Sequence, residues 1–327
     1  MVKIAIDLNG GDNAPQSVID GVKLALDEHD DIEIELYGTK GSYNENLDRV
    51  TFTEVAEKIE STDDPVRAVR RKKDSGMVQA CVAVKEGRAD ACFSAGNTGA
   101  LMSAGLFNVG RIKGIDRPAI ASMIPSTDGK GMLLLDMGAN VDNRANHLYQ
   151  FAVMADIYME DILDRKNPKI GLVNIGSEDN KGSELTKATH KLLKESHLNF
   201  QGNFETRDIL SGVVDVAVTD GFTGNIILKT IEGTAMGMMG EIKKALTSSF
   251  KNKVGAVLVK SGLQNIKDLL DYRQYGGAPL LGLNGHVLKA HGSSDAVAIA
   301  SAVRQAKRMA MSDSIEKISN KVGSIDE

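Results

Sequence analysis

The stretch Thr219-Asp220-Gly221-Phe222-Thr223-Gly224-Asn225 sets two threonines, two glycines, an aspartate and an asparagine between two patterned segments. Before it runs the β-branched segment Val213 to Val218; after it Ile226, Ile227, Thr230, Ile231 and Thr234 recur at helical spacing. Where a strand ends and a helix begins, free backbone N–H groups and the helix dipole favour an anion. Thr and Asn also cap helices for purely structural reasons, so the stretch alone reads equally as a capped turn. Five more polar, Gly-rich loops follow apolar runs, at 9–15, 94–100, 136–142, 174–183 and 291–295. If the strands are parallel, all six converge on one rim, suited to holding an oxyanion such as phosphate between backbone N–H groups and a few cations.

Familiar alternatives are missing from the chain. Lys181-Gly182-Ser183 follows Gly176, but the lysine precedes the glycine, so this is no Walker A loop. No GxGxxG opens a helix, which weakens a dinucleotide-binding reading, and there is no HExxH, CxxC or GxSxG. The six histidines are scattered, so no metal site is expected. A covalent serine or cysteine mechanism has no support.

The elements that must position these loops alternate. Val2 to Leu8 reads as a central strand, followed by a helix to about His29; Ile32 to Tyr37 and Thr51-Phe52 read as further strands. Asp63-Asp64-Pro65 opens a helix carrying Arg67, Arg70, Arg71, Lys72 and Lys73, with the three arginines on one face. Met77 to Glu86 is a helix closed by Gly87, Ala89 to Phe93 a strand, and loop 94–100 leads into a helix through about Arg111. Pro118 to Ile124, Met132 to Leu135 and Pro168 to Val173 are strands, and a helix covers about Ala145 to Leu163. The rhythm is βαβα, which calls for parallel sheets with helical crossovers. From Glu241 the pattern changes. Leu246, Phe250, Val254, Val257 and Leu258, then Leu263, Ile266, Leu269 and Leu270, recur at three- and four-residue spacing among lysines. An amphipathic helical hairpin over about 243–270 is expected, its apolar face serving as core, dimer interface or membrane-surface contact. A last helix ends near Met311, and the polar tail Ser312 to Glu327 is expected to fray.

A length of 327 residues suggests two domains, and 42% hydrophobic with 25% charged residues is ordinary for a soluble globular chain. The net charge of −5 argues against nucleic acid as partner, and 4% aromatic content argues against base stacking. Cys81 and Cys92, the only cysteines, fit buried apolar positions in a reducing compartment. No apolar run approaches the ~18 residues of a membrane span, and the amino terminus starts a strand rather than a signal peptide, so a cytoplasmic location is expected.

Taken together, Asp7-x-x-Gly-Gly-Asp-x-Ala-Pro15, the Ser94 to Ala100 loop, Gly138-Ala-Asn140, Lys181-Gly-Ser183, Asp220-Gly-Phe-Thr-Gly-Asn225 and Tyr275-Gly-Gly277 resemble the phosphate acyltransferase family of bacterial phospholipid synthesis. The resemblance spans essentially the whole chain, in order. It implies conversion of acyl-[acyl carrier protein] and inorganic phosphate to acyl phosphate and free carrier, without a cofactor. It also implies a homodimer loosely attached to the membrane. The implied fold is a three-layer α/β/α sandwich like phosphotransacetylases and isocitrate or isopropylmalate dehydrogenases. Its two domains would be 1–117 plus 277–327, and 118–276, with a cleft between them. Leu8-Asn9 replaces the family's usual Ala-Met, and Ala145-Asn146-His147 replaces Pro-Glu-His, which removes a carboxylate at position 146.

Phosphate is already an anionic nucleophile and a thiolate leaves readily, so position and charge stabilisation suffice. Lys181 is expected to serve as a cation for phosphate or the developing oxyanion, Asn225 as a donor to the carbonyl oxygen, and His291 to orient phosphate or protonate the leaving sulfur. Asp7, Asn13, Gly96, Asn97, Thr98, Gly99, Asn140, Asp220, Thr223 and Gly224 are expected to bind phosphate or substrate. Arg67, Arg70 and Arg71 would meet the acidic carrier. The alternatives are a phosphotransacetylase using acyl-CoA, a decarboxylating dehydrogenase of the same fold, which would need clustered arginines and metal-binding aspartates, and a non-catalytic scaffold that holds the carrier.

Overall fold

The parallel sheet demanded by the βαβα rhythm is built twice. The structure is a computed structural model describing residues 1–269 and 276–323; Leu270, Tyr275 and the end of the tail, 324–327, lie outside the described residues. The chain begins with β1 (Val2–Asp7), α1 (Gln16–Glu28), β2 (Ile32–Thr39), β3 (Val50–Val55), α2 (Pro65–Arg71) and α3 (Gly76–Lys85). It continues through β4 (Ala91–Ser94), α4 (Thr98–Ala104), a π-helical turn over Gly105–Val109, β5 (Ala119–Ile120), β6 (Ser122–Ile124), β7 (Met132–Leu135) and α5 (Ala145–Asp161). Next come β8 (Ile170–Asn174), α6 (Glu184–Lys194), β9 (Phe200–Glu205), β10 (Val216–Val218) and α7 (Gly221–Thr247). It closes with α8 (Phe250–Leu258), α9 (Lys260–Leu269), β11 (Ala278–Leu281), β12 (His286–Lys289), α10 (Ala296–Ala310) and α11 (Ser314–Gly323).

One sheet has seven strands in the order β3-β2-β1-β4-β12-β11-β5, and the other five, β6-β7-β10-β8-β9. β1, β2, β3, β4 and β12 run parallel, as do β7, β10, β8 and β9; the antiparallel strands are β11, β5 and β6. Alternation along β1 shows the layering: Ile4, Ile6 and Leu8 pack with α1 and α10, while Ala5 joins the core beside α3. In the five-stranded sheet Leu133, Leu135, Val216 and Val218 face the side of α5, and Leu134 and Ala217 share the opposite core with Ile227 of α7. Helices on both faces of each sheet make the α/β/α sandwich.

Four expectations change. The apolar run Pro118 to Ile124 is two short strands, β5 at the edge of one sheet and β6 at the edge of the other, so the chain passes between sheets at Ala121, whose N–H bonds Pro279 O. Val213 to Val218 contributes only Val216–Val218 to its strand, and Val213 is half exposed. The 243–270 segment is no simple hairpin. α7 runs unbroken for 27 residues through Thr247, and α8 starts only where the Ser249 side chain accepts from Asn252 N. Phe250, Val257 and Leu258 remain exposed, so that face is not core. The tail does not fray from Ser312: α11 packs on α5, burying Ile318 and Val322, with Lys317 bonded to Asp161 at 2.8 Å and Lys321 to Asp156 at 2.6 Å. Polar composition hid this because the apolar stripe is narrow. Among the described residues, no helix is long and apolar enough to cross a membrane.

Ile318→Ala should therefore cost about 2–5 kcal/mol of stability by urea denaturation, as for a buried core side chain. A frayed tail would lose less than about 0.5 kcal/mol.

Candidate active site

On the seven-stranded sheet the neighbouring parallel strands β1, β4 and β12 end together, placing loops 9–15, 94–100 and 291–295 on one edge. Asp7 closes β1, buried, and accepts a hydrogen bond from Ser94 Oγ at 2.6 Å. Backbone crowds this carboxylate: a Cβ on Gly10 would lie 2.6 Å from Asp7 Oδ2, and one on Gly76 2.6 Å from Oδ1. Burial pushes the Asp7 pKa up, against the Ser94 hydrogen bond and the charge of Lys289.

Lys289 closes β12. Its ammonium donates to Ala95 O at 3.0 Å and to Ala290 O, tying two of the three loops together. Burial pulls its pKa down to about 8, opposed by the carboxylates of Asp12 and Asp7. Asp12 N–H donates to Gly292 O at 2.8 Å, and Asn13 Nδ2 to Ser293 O at 3.2 Å, so Asn13 holds the 291–295 loop. His291 is joined to Ser293 Oγ through Nδ1 at 2.9 Å, and burial lowers its pKa. Gly96 N–H is spent on Ser94 Oγ. Asn97 caps α4 by accepting from Ala100 N and donates to Ser61 O and Asp63 O, both at 3.1 Å. Gly99 lets Pro65 approach, since a Cβ there would sit 2.8 Å from the proline ring. Gly96, Asn97 and Gly99 thus shape the loop, and Thr98 is exposed on it.

On the five-stranded sheet the carboxyl ends of β7, β10 and β8 carry loops 136–142, 219–225 and 174–183. Asp136 is fully buried. Its carboxylate accepts from Ile120 N at 3.0 Å, Ala139 N at 3.2 Å, Asn140 N at 2.8 Å and Asn140 Nδ2 at 2.9 Å. Desolvation raises its pKa and these donors oppose the rise. Asn140 also donates to Pro118 O at 2.8 Å, and its carbonyl accepts from Gly221 N at 3.0 Å. The first turn of α7 rests on this loop so closely that a Cβ on Gly224 would lie 1.9 Å from Asp136 O, and one on Gly221 2.4 Å from Asn140 O. Asp220 caps α7 by accepting from Thr223 N at 2.9 Å and Thr223 Oγ1 at 2.7 Å, so these two side chains bond each other.

Asn225 differs from its neighbours. It is exposed, lies against Gly138, and has no side-chain hydrogen bond among the described residues. Lys181 is half exposed, and its one ion pair among the described residues, to Glu178 Oε1, is long at 3.9 Å. Its position is fixed through the backbone: Asn174 Nδ2 donates to Lys181 O at 3.1 Å, and Gly182 adopts φ +97° beside Asn174 and Thr186.

The six loops therefore form two rims, not one, and α7 joins them. Asn225, Lys229 and Glu232 fall on one helical face. Glu232 Oε1 lies 3.9 Å from His291 Nε2, and Lys229 bonds Glu232 at 2.7 Å. His291 feels the charges of Glu232, Lys229, Lys289 and Asp12. Asn225 and His291 are thus served by the same helix. Lys181 stands one strand over on the five-stranded rim, after β8, beside Glu178. Lys289, Lys229, Glu232 and Asp136 escaped assignment from sequence. A lysine ending the apolar run Val287-Leu288, and charges four and seven residues after Asn225, were the available signals. Arg67, Arg70 and Arg71 are exposed on α2, with Arg70 stacked 5.3 Å over the Phe107 ring. Cys81 and Cys92 are buried with sulfurs 4.0 Å apart, and no metal-holding cluster occurs among the described residues.

A family model described as fatty acid synthesis protein matches residues 2–317. The phosphate acyltransferase of Lysinibacillus sphaericus is 56% identical over 99% of both chains, and that of Bacillus pumilus 56% identical over 95% of both. The chain belongs to the phosphate acyltransferase family. Like those relatives it is an enzyme. In fold it is similar to a phosphotransacetylase from Streptococcus pyogenes, with TM-score 0.60, 16% identity and coverage of 95% and 94% of the two chains. A 4-hydroxythreonine-4-phosphate dehydrogenase from Klebsiella pneumoniae aligns with TM-score 0.51 and 11% identity over 95% and 98%. The family's sandwich is the one its sequence led us to expect.

Two outcomes follow for the rims. Asn225→Ala should leave stability within about 0.5 kcal/mol, since its amide makes no side-chain hydrogen bond among the described residues, whereas Gly224→Ala should lower the thermal midpoint by several degrees because a methyl group meets backbone. Because Lys289 loses its proton near pH 8 when folded and near 10.5 when unfolded, the unfolded chain binds more protons in that window. Wild-type stability relative to Lys289→Met should rise between pH 8 and 10.5 and be flat below about pH 7. A difference unchanged across the window would mean an ordinary ammonium.

Proposed function

We propose that the chain transfers a fatty acyl group from the thioester of an acyl carrier protein to inorganic phosphate, releasing acyl phosphate and free carrier. The observation that carries the reading is Asn225: an unengaged amide on the helix face that reaches His291, on a rim shared with the ammonium of Lys181. Phosphate binds at the rims, and one of its oxygens attacks the thioester carbon. The C–O bond forms, the C–S bond breaks, and the proton phosphate carried ends on the departing sulfur. Neither a protein nucleophile nor a metal enters the step. Lys181 balances charge on phosphate or the oxyanion, Asn225 donates to the carbonyl oxygen, and His291 orients phosphate or passes the proton. Asp220, Thr223, Asn97 and Asn140, engaged in capping and loop bonds, support binding through the backbone they hold. The two sheets would form the two domains, closing on substrate.

The exposed arginines of α2 suit an acidic carrier, and the α2–α4 packing sets them beside the 94–100 loop. The uncovered Phe250, Val257 and Leu258 among the lysines of α8 suit a membrane surface or a second subunit.

The deciding assay is phosphate-dependent release of free carrier from palmitoyl-carrier protein, with acyl phosphate trapped by hydroxylamine and acetyl-CoA run in parallel. Lys181→Ala and Asn225→Ala should each lower turnover by about 10²-fold or more. Near wild-type rates would remove the residue from its role, and activity with acetyl-CoA alone would move the substrate to coenzyme A thioesters. Reversing the charges of Arg67 and Arg71 should slow the carrier-bound reaction and flatten its salt dependence; an unaltered salt response would leave α2 a solvated face.

A further inference from the structure

A cavity of about 470 Å³ opens where the chain crosses between the sheets, next to the five-stranded rim. It shares Ala139 and Asn140 with the loop whose Gly138 lies against Asn225. Three guanidinium groups line it, from Arg111, Arg117 and Arg144, against the single carboxylate of Asp116. Arg111 donates to the Asp116 backbone carbonyl, and Arg144 sits 3.6 Å from its carboxylate and 3.3 Å from His147 Nε2. Arg117 is exposed and has no hydrogen bond or ion pair among the described residues. His147 is buried, and its pKa is lowered by burial and by the positive charge of Arg144. The amino end of the 17-residue α5, beginning at Ala145, adds the positive end of its dipole. Such a site attracts a phosphate group, for which guanidinium forks are the matching donors.

The cavity is far larger than a bare phosphate ion needs, and its other wall is apolar, with Met102 and Leu106 reaching in from α4 and the π-helical turn. A ligand that fits both walls carries an oxyanion and an organic chain. Building on the function proposed above, we propose that this cavity binds the phosphate ester of the pantetheine arm that presents the thioester, with the phosphate on Arg117 and Arg144 and the chain along Met102 and Leu106 toward Asn225. The substrate phosphate that attacks the thioester occupies the rims, so the enzyme has two separate oxyanion sites.

Calorimetric titration of the full chain tests this without turnover. Free 4′-phosphopantetheine should bind wild type at least about tenfold more tightly than pantetheine. Arg117→Gln, which breaks no hydrogen bond or ion pair among the described residues, should weaken 4′-phosphopantetheine about tenfold while leaving pantetheine and inorganic phosphate unchanged. Equal affinities for the two arms in wild type, or a preference that survives Arg117→Gln intact, would overturn the proposal. Loss of inorganic phosphate affinity in Arg117→Gln with 4′-phosphopantetheine unaffected would overturn it too, making the cavity the site of the substrate ion. A wild type that keeps the tenfold preference yet releases no carrier with phosphate would sink the reaction and not the subsite.

Discussion

The buried carboxylate of Asp136 is the constraint on which the site depends. Four donors converge on it, one from β5 of the seven-stranded sheet's edge and three from the loop after β7. Removed from water, a carboxylate is costly unless its lone pairs are filled, and filling them here folds residues 136–140 into one shape. The backbone of that loop then meets the first turn of α7 with no room for a side chain at Gly221 or Gly224. Through this chain of contacts a single carboxylate sets where α7 begins, and hence where Asn225 stands.

α7 turns that local constraint into a long-range one. A rigid helix of 27 residues starting on one rim reaches the other within three turns, bringing Glu232 to His291 and the charge of Lys229 to the neighbourhood of Lys289. The seven-stranded rim is organised in the same manner, with Asp7 and Lys289 buried at the ends of neighbouring strands and bonded to the loops beside them. Both rims use their buried charges to shape backbone, while Asn225 and Lys181 stay at the surface. The arginine cavity extends this arrangement outward from the same 136–142 loop.

The sequence was informative about local chemistry. Strand–glycine loop–helix junctions at 94–100, 136–142 and 219–225 were legible because apolar runs, glycines and helical spacing are properties of neighbours in the chain. A capped turn was one of the two readings of 219–225, with Thr and Asn as the expected caps; the cap in use is Asp220, which accepts from Thr223 N and Oγ1. The tail misled because two well-spaced residues, Ile318 and Val322, suffice to dock a helix once α5 offers a partner surface. The run from Pro118 to Ile124 misled because an apolar stretch carries no mark of which sheet each residue joins.

What the residues alone determined was therefore the inventory: alternating strands and helices, six polar loops at strand ends, and the family. Tertiary structure decided the partition of those loops into two rims, the burial of Lys289 that draws its pKa toward 8, and the meeting of Glu232 with His291 across 59 positions of chain. Desolvation and contact between distant segments depend on what packs against a residue, and that is set by strand order and helix direction rather than by any pattern its neighbours carry.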